Sequence, residues 1–193
     1  MSPATHLLIG WIAANASNLN RRERAVVTIA GVIPDLDGGG IVAEVLTRHA
    51  DRPLTWWSDY HHALGHNLGF CLLITLAAFL LGSQRWKTAA LAFLSFHLHL
   101  FCDLIGARGP DFHQWPIPYL LPFSNAWQWT WSGQWALNAW PNFLITATAL
   151  ALTLYLAWRR GYSPLELLSS KADKAFVAAL RHRVPLPASQ KAD

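Results

Sequence analysis

The sequence predicts an all-α membrane protein, a bundle in which several helices cross the bilayer. Composition is the first observation behind this class: of 193 residues, 13% are charged and 53% are apolar. An average soluble domain is about 25% charged and 45–50% apolar. The second observation is that long apolar runs recur along the chain, and no segment is polar enough to indicate extended disorder. One membrane-associated unit therefore accounts for most of the length.

Three apolar runs are long enough to be candidate membrane-spanning helices. Residues 68–82 and 143–158 contain no charged side chain, and residues 88–106 contain a single acid, Asp103. A spanning helix needs about 20 apolar residues, and somewhat fewer suffice when the ends carry residues that reach the interface. We therefore expect three spans, with the second one polar near its end.

The N-terminal region contains two shorter apolar runs, residues 7–16 and 25–34, separated by the basic turn RRER at 21–24. These runs predict short helices that either form a hairpin or pack within the bundle. No basic segment precedes the first run, so we do not expect a cleaved signal peptide.

The net positive charge comes entirely from the C-terminal end. Residues 159–193 hold seven basic and three acidic residues, which accounts for the whole net charge of +4. We therefore divide the chain into a membrane-embedded helical domain, residues 1–158, and a basic tail, residues 159–193. Basic segments next to apolar spans favour the cytoplasmic side, so the tail is expected to be cytoplasmic and no nucleic-acid partner is expected. Residues 164–182 predict either a weakly amphipathic surface helix or a solvated segment.

The segment between the last two spans has the opposite character. Residues 107–142 carry one Arg or Lys, Arg108, and six of the eleven Trp residues. Because the basic flanks, Arg85 with Lys87 and the tail, are expected to be cytoplasmic, this segment between them is predicted to lie on the non-cytoplasmic side, where its Trp residues suit the membrane interface. If the RRER turn is also cytoplasmic, His6 at the start of the first short helix and the PDLD segment at 34–37, at the end of the second, lie on the non-cytoplasmic side too.

Ionisable side chains near these spans are candidates for chemistry, because they are costly in a bilayer and tend to pair or bind metal. His99 and Asp103 are four residues apart and share one helix face, and His62 and His66 repeat that spacing. His97 lies about 200° from His99 around the helix, which favours a packed imidazole over a ligand.

The PDLD segment adds two carboxylates, Asp35 and Asp37. The proline before them and the three glycines after them predict a loop in which both can turn to one side, although an Asx-type turn is the simpler alternative. His6 is either a further ligand or an ordinary residue of the first helical turn. Both cysteines lie in apolar runs, so a thiolate site is not expected.

The candidate ligands are therefore imidazoles and carboxylates: His6, Asp35, Asp37, His61, His62, His66, His99 and Asp103. This donor set favours Zn²⁺, with Mn²⁺ or Fe²⁺ as alternatives. Because it exceeds the needs of one tetrahedral ion, a site for two ions is an open possibility. The ligands are predicted to gather at one membrane face.

Several segments in order resemble the YdjM-type family, whose members are described as membrane-bound metal-dependent hydrolases. They are THLLIG at 5–10, the PDLD segment, His61 to His66 before an apolar run, HLFCD at 99–103, and the G…WPIPYLLPF stretch ending at 123. The family looks distantly related to zinc-dependent phospholipase C and to zinc nucleases. Its usual HRG-x-TH segment is HHALGH here, with His62 in place of Arg, which leaves open whether His61, His62 or both bind metal.

The resemblance implies a hydrolase of the bacterial-type inner membrane, with metal ligands at the matching positions. Asp35 or Asp37 would take the proton of the attacking water, and a phosphoester, either a small molecule or a membrane lipid, is the expected substrate. A metal-ion transporter and a structural or partner-binding bundle are the alternatives from other classes. The sequence does not specify an oligomeric state.

Overall fold

The computed structural model describes residues 1–109 and 114–187. Within these residues the chain forms α-helices and two short 3-10 segments, and the only β contacts are two isolated bridges. The all-α prediction is confirmed. The helices are α1 (Pro3–Ala14), α2 (Arg21–Ala30), α3 (Gly40–Thr47), α4 (Trp56–Tyr60), α5 (Leu68–Leu81), α6 (Arg85–Gly106), α7 (Trp140–Arg160) and α8 (Ser170–Arg183), and the 3-10 segments are Ile33–Gly39 and Pro164–Leu167.

Two of the described helices, α6 and α7, are each long and apolar enough to cross a membrane. The predicted span at 68–82 forms α5, which has 14 residues and rises about 21 Å, less than the roughly 30 Å of a hydrocarbon core. A third candidate arises from α2 together with residues 33–47, which pass the same test only as a pair bent by 49°. Of the three expected single-helix spans, α6 and α7 are thus long enough among the described residues and α5 is shorter.

The two N-terminal helices pack within the bundle, which is one of the two predicted alternatives. Ala14 of α1, Val27 of α2 and Ala92 of α6 belong to one buried cluster. Gly10 allows this packing, because a Cβ there would lie 2.9 Å from the carbonyl oxygen of Thr28. Helices α1 and α2 therefore hold a close pair against α6.

The basic turn at 21–24 lies at the end of the bundle where α6 begins. Glu23 caps α2 and also accepts hydrogen bonds from the Ser83 hydroxyl and the Gln84 backbone N–H. Arg24 binds both carboxylate oxygens of Glu166 at 2.6 Å. The RRER turn, the start of α6 and the C-terminal region are therefore at one end.

The C-terminal region is helical and partly packed onto the bundle. Asp173 and Val177 of α8 are buried, and Asp173 accepts hydrogen bonds from the backbone N–H and the hydroxyl of Ser163. The expected boundary at residue 158 falls inside α7, and residues 188–193 of the expected tail lie outside the described part of the chain.

Candidate metal centre

The predicted ligands lie at the end of the bundle opposite the basic turn. His99 and Asp103 are in the last two turns of α6, about 27 Å along the helix from its first residue to Asp103. Their four-residue spacing places both on one face, and His99 Nε2 is 3.1 Å from Asp103 Oδ2. The predicted pairing of these two side chains is confirmed.

Four elements bring side chains to Asp103. His6 of α1, Asp35 of the 3-10 segment, His99 and Asp103 form one group in which the ligand-type atoms lie within 4.8 Å of one another, and His62, His66 and Asp103 form a second. We call these six residues the metal centre. Asp103, which is 1% exposed, belongs to both groups. A carboxylate shared in this way is suited to bridge two ions, although one ion would also use it.

Three atoms at the heart of the metal centre have the spacing of metal ligands. His66 Nε2 lies 3.0 Å from His99 Nε2, and Asp103 Oδ2 lies 3.4 Å from the first and 3.1 Å from the second. The other carboxylate oxygen, Oδ1, contacts the Met1 ammonium and His6 Nε2. Two ligands bound at 2.0–2.1 Å to a tetrahedral ion are about 3.3–3.4 Å apart. The three facing atoms therefore approach the spacing that a Zn²⁺ site requires.

The tautomers of the two central imidazoles leave the space between His66 Nε2, His99 Nε2 and Asp103 Oδ2 without a hydrogen-bond donor. His99 Nδ1 donates to the carbonyl oxygen of Gly31 at 2.9 Å, and His66 Nδ1 donates to the Asp37 carboxylate at 3.0 Å. When both rings are neutral, each therefore directs an Nε2 lone pair at the other and at Asp103. Such a cluster of acceptors is stable only with a cation, either a metal ion or a proton.

Further polar atoms in the centre are buried without a hydrogen-bond partner among the described residues. They are His6 Nδ1, His62 Nδ1, Asp35 Oδ2 and Asp103 Oδ2. Buried polar groups in folded proteins are almost always satisfied. The orphaned atoms, the ligand-like spacing and the N/O donor set together fit a bound divalent ion.

The pKa values of the two loop histidines agree with this electrostatic picture. Burial lowers the pKa of His62 well below its usual value, and the adjacent His66 lowers it further despite the attraction of Asp103. Burial also disfavours charge on His66, but hydrogen bonds to Asp103 and Asp37 raise its pKa to about 9. The carboxylates of Asp103 and Asp37 therefore favour a positive charge at the position of His66.

Asp37 and His61 do not belong to either group of the metal centre. Asp37 Oδ1 lies 2.8 Å from His61 Nδ1, and its Oδ2 accepts from His66 Nδ1 and from the backbone N–H of Gly65 at 2.9 Å. Both oxygens are thus engaged by protein donors. A carboxylate behind a ligating imidazole fixes the tautomer and the orientation of the ring, whereas the prediction that Asp37 binds metal itself stays a prediction.

The segment around the loop histidines differs from the sequence expectation. His62 and His66 were expected to share a helix face, but residues 61–67 form turns between α4 and α5. His62 has a φ of 66°, which no helix accommodates. Asn67 caps α5 through its bond from the Phe70 N–H, and Gly65 packs so closely on Pro34 that a Cβ would overlap the proline carbonyl. Tertiary contacts, not helical spacing, bring both imidazoles to Asp103.

The PDLD segment also differs from the expected loop. Residues 33–39 form a 3-10 helix, and its two carboxylates point to different partners. Asp35 Oδ1 lies 3.7 Å from His99 Nε2, while Asp37 contacts the loop histidines. The tight turn of the 3-10 helix thus assigns one carboxylate to the metal centre and the other to its support.

His97 lies apart from the metal centre, as its position on the helix predicted. Its Nδ1 donates to the Phe93 carbonyl at 2.9 Å, and its Nε2 lies 2.9 Å from the Tyr119 hydroxyl. Both ring nitrogens are therefore satisfied, and the packed imidazole is confirmed.

A cavity of about 840 Å³ opens onto the metal centre, with Asp35, His62 and Asp103 in its wall. The sequence did not predict this cavity, because its lining comes from segments far apart in the chain. One signal was visible: Arg108, the single Arg or Lys of residues 107–142, is part of the lining. The other lining residues include Met1, Trp57, His61, Trp115, Leu137 and Phe143.

Comparison with known proteins identifies a family. A family model described as YdjM inner membrane protein matches residues 1–171, which include every residue of the metal centre. No curated protein and no solved structure matches the chain significantly. The relationship to zinc-dependent phospholipase C that the resemblance suggested therefore stays a prediction.

Proposed function

The chain belongs to the YdjM inner membrane protein family, and on that premise we propose that it is a metal-dependent hydrolase that cleaves a phosphoester at the membrane surface. The observation that carries the proposal is the arrangement of His66, His99 and Asp103. Their three facing atoms lie 3.0–3.4 Å apart, and no described donor lies between them. A cation placed between these acceptors would satisfy them in a buried site.

We assign Zn²⁺ first, with Mn²⁺ or Fe²⁺ as alternatives, because the donors are imidazoles and carboxylates. A bound divalent ion would lower the pKa of water to about 7 and stabilise negative charge on a phosphoryl oxygen. His6, His62, His66, His99 and Asp103 would hold the metal, and the sharing of Asp103 between both groups favours room for two ions.

Two carboxylates have separate roles in this proposal. Asp35 lines the cavity and its Oδ2 has no partner among the described residues, so it is placed to take a proton from water. Asp37 has both oxygens engaged by His61, Gly65 and His66. We therefore assign Asp37 a positioning role, in which it holds His66 Nδ1 protonated and its Nε2 turned towards Asp103.

The proposal places the metal centre on the non-cytoplasmic side of the inner membrane. Arg21 and Arg24 bond to Glu166 near the C-terminal helix, and α6 also begins at this end with Arg85. Basic residues favour the cytoplasmic side, and the metal centre lies at the other end of α6. The C-terminal region would then be cytoplasmic.

A metal-ion transporter is the alternative from another class. It requires ligands along a path through the membrane. Here the candidate ligands gather towards one end of α6, and the charged groups at the other end, Glu23, Arg24 and Glu166, are engaged in caps and an ion pair. This distribution favours chemistry at one face over passage through the bundle.

The test begins with the metal. The full chain is purified in a neutral detergent, incubated with Zn²⁺, Mn²⁺ or Fe²⁺ and desalted. Elemental mass spectrometry should then show that the protein retains metal ions. The loaded protein should then cleave phosphomonoesters or phosphodiesters, and Asp35→Asn should keep the metal but lose most of the activity. Lack of any bound ion would exclude the hydrolase, and ion retention with zinc transport but no hydrolysis would favour the transporter.

A further inference from the structure

The cavity beside the metal centre is lined mostly by apolar side chains, although Asp35 and Asp103 of the metal centre also line it. Its wall includes Pro3, Ala107, Trp115, Leu137 and Phe143. The volume of about 840 Å³ lies in the upper part of the usual range for small-molecule sites, about 300–1,000 Å³. It is therefore much larger than an inorganic anion needs, and its walls suit an aliphatic or aromatic group.

Arg108 is the single Arg or Lys among the described residues that line the cavity. It follows the end of α6 and lies five residues after Asp103. Its backbone is held on both sides, by the N–H bond to the Trp135 carbonyl and by the bond from the Leu137 N–H. Arg108 is thus held in the cavity wall by a fixed piece of chain.

The guanidinium of Arg108 has donors to spare. Its Nη2 donates to the carbonyl oxygen of Ser132 at 3.0 Å. Its Nε is buried and has no hydrogen-bond partner among the described residues. A buried N–H without an acceptor is costly, and the planar fork of an arginine matches the paired oxygens of a phosphate group. The orphaned donor therefore points to an anionic ligand.

The outer rim of the cavity is apolar and exposed. Leu137 and Phe143 line the cavity and are nevertheless 50% and 67% exposed. Phe143 lies in the first turn of α7, one of the two described helices that are long and apolar enough to span a membrane. A ligand could thus enter from the lipid phase with its apolar part against Trp115 and its charged end towards Arg108.

We propose that Arg108 forms an anion subsite beside the metal centre and that the cavity binds a lipid-type amphiphile through a phosphate-class headgroup. The proposal rests on the proposed function for the role of the metal centre. A divalent ion on one side and Arg108 on the other would neutralise the headgroup next to Asp35 and Asp103. The cavity thereby selects membrane amphiphiles over soluble phosphoesters.

A binding experiment tests this subsite separately from hydrolysis. Dodecylphosphonate, whose C–P bond resists hydrolysis, is titrated calorimetrically into the full chain loaded with Zn²⁺ in a neutral detergent, with protein-free micelles as the blank. Inorganic phosphate is titrated in parallel to measure binding of the free anion. Dodecyltrimethylammonium is titrated to measure binding of the apolar tail without an anionic group. The variants are Arg108→Gln, Arg108→Lys, which keeps the charge without the fork, and Arg52→Gln, which removes an exposed positive charge outside the cavity lining.

We expect Arg108→Gln to weaken dodecylphosphonate binding about ten- to hundredfold, as the loss of a hydrogen bond to a charged group implies. The affinity of Arg108→Lys for dodecylphosphonate should lie between those of the wild type and Arg108→Gln. The affinity of Arg52→Gln should equal that of the wild type. Equal affinity in wild type and Arg108→Gln, with the same elution profile and metal content, overturns the subsite. Inorganic phosphate binding as tightly as dodecylphosphonate overturns the amphiphile, as does equal binding of dodecyltrimethylammonium.

The result can be distinguished from failure of the proposed function. Binding that depends on Arg108 without hydrolysis of any phosphoester would retain the subsite and exclude the hydrolase. Hydrolysis by a chain in which Arg108→Gln binds dodecylphosphonate normally would retain the hydrolase and exclude the subsite.

Discussion

The role assigned to Asp37 is open to a sharp test, the substitution Asp37→Asn. The carboxylate accepts three hydrogen bonds, from His61 Nδ1 at 2.8 Å, from the Gly65 N–H at 2.9 Å and from His66 Nδ1 at 3.0 Å. The amide has the same size but only one acceptor atom and no charge. An asparagine at this position would therefore leave His66 less firmly oriented while the ligands of the metal centre remain.

The magnitude follows from the role of such carboxylates. Loss of a group that orients a ligating histidine weakens metal affinity about 10- to 100-fold, which corresponds to about 1.4–2.7 kcal/mol. Because Asp37 also holds the loop through the Gly65 N–H, we expect the effect to lie within this range and not below it. The number of ions bound at saturating metal should not change.

The assay is a competition titration of Zn²⁺ against a chromophoric chelator, followed by elemental analysis at saturation. Asp59→Asn is the matched control, because Asp59 is a nearby exposed carboxylate that accepts a hydrogen bond from Thr55. It should bind as the wild type does. Unchanged affinity in Asp37→Asn would refute the positioning role, and a lower stoichiometry at saturation would show that Asp37 is itself a ligand.

Three further substitutions, together with the control His97→Asn, test other parts of the structure. Asp103→Asn should abolish metal retention, because both groups of the metal centre use this carboxylate, whereas His97→Asn should retain the metal. Glu166→Gln should lower stability by up to about 3 kcal/mol in thermal unfolding, since it leaves Arg24 buried without its full counter-charge. Gly65→Ala should displace the 61–67 loop at a cost of about 1–3 kcal/mol and weaken metal binding.

Each of these three predictions has a result that would contradict it. Metal retention by Asp103→Asn would show that the ion lies elsewhere. Equal unfolding temperatures for Glu166→Gln and for Lys171→Gln, on the exposed surface of α8, would mean that the ion pair contributes little. For Gly65→Ala the control is Gly39→Ala, since a Cβ at Gly39 meets nothing within 4 Å; equal metal affinity in the two variants would show that the loop tolerates the change.

Much of the candidate site could be predicted from the sequence, because helical geometry and the cost of burying charge act locally. The spacing of His99 and Asp103 places both on one face of any helix. The rarity of charge in the apolar runs marks Asp103 as unusual, and the position of His97 excludes it from that face. These inferences need only the period of the helix and the low polarity of a bilayer.

Local rules failed where long-range contacts decide the backbone. His62 and His66 suggested a helical pair, but the close packing of Gly65 on Pro34 holds that segment in turns. The 14 residues of α5 end short of a span, although the run at 68–82 contains no charge. The first result cannot be read from a window of neighbouring residues, because Pro34 lies in another part of the chain, whereas the short length of α5 is already set by the run itself.

The sequence by itself determined the class of protein, the basic end of the bundle and the donor chemistry, since these follow from composition and spacing. Only the tertiary structure decided which atoms meet. It directs the Nδ1 of His99 to the Gly31 carbonyl and that of His66 to Asp37, so that both Nε2 atoms face Asp103. It also brings Arg108 to the same cavity. The physical reason is that a tautomer and a cavity depend on groups distant in sequence, which only packing brings together.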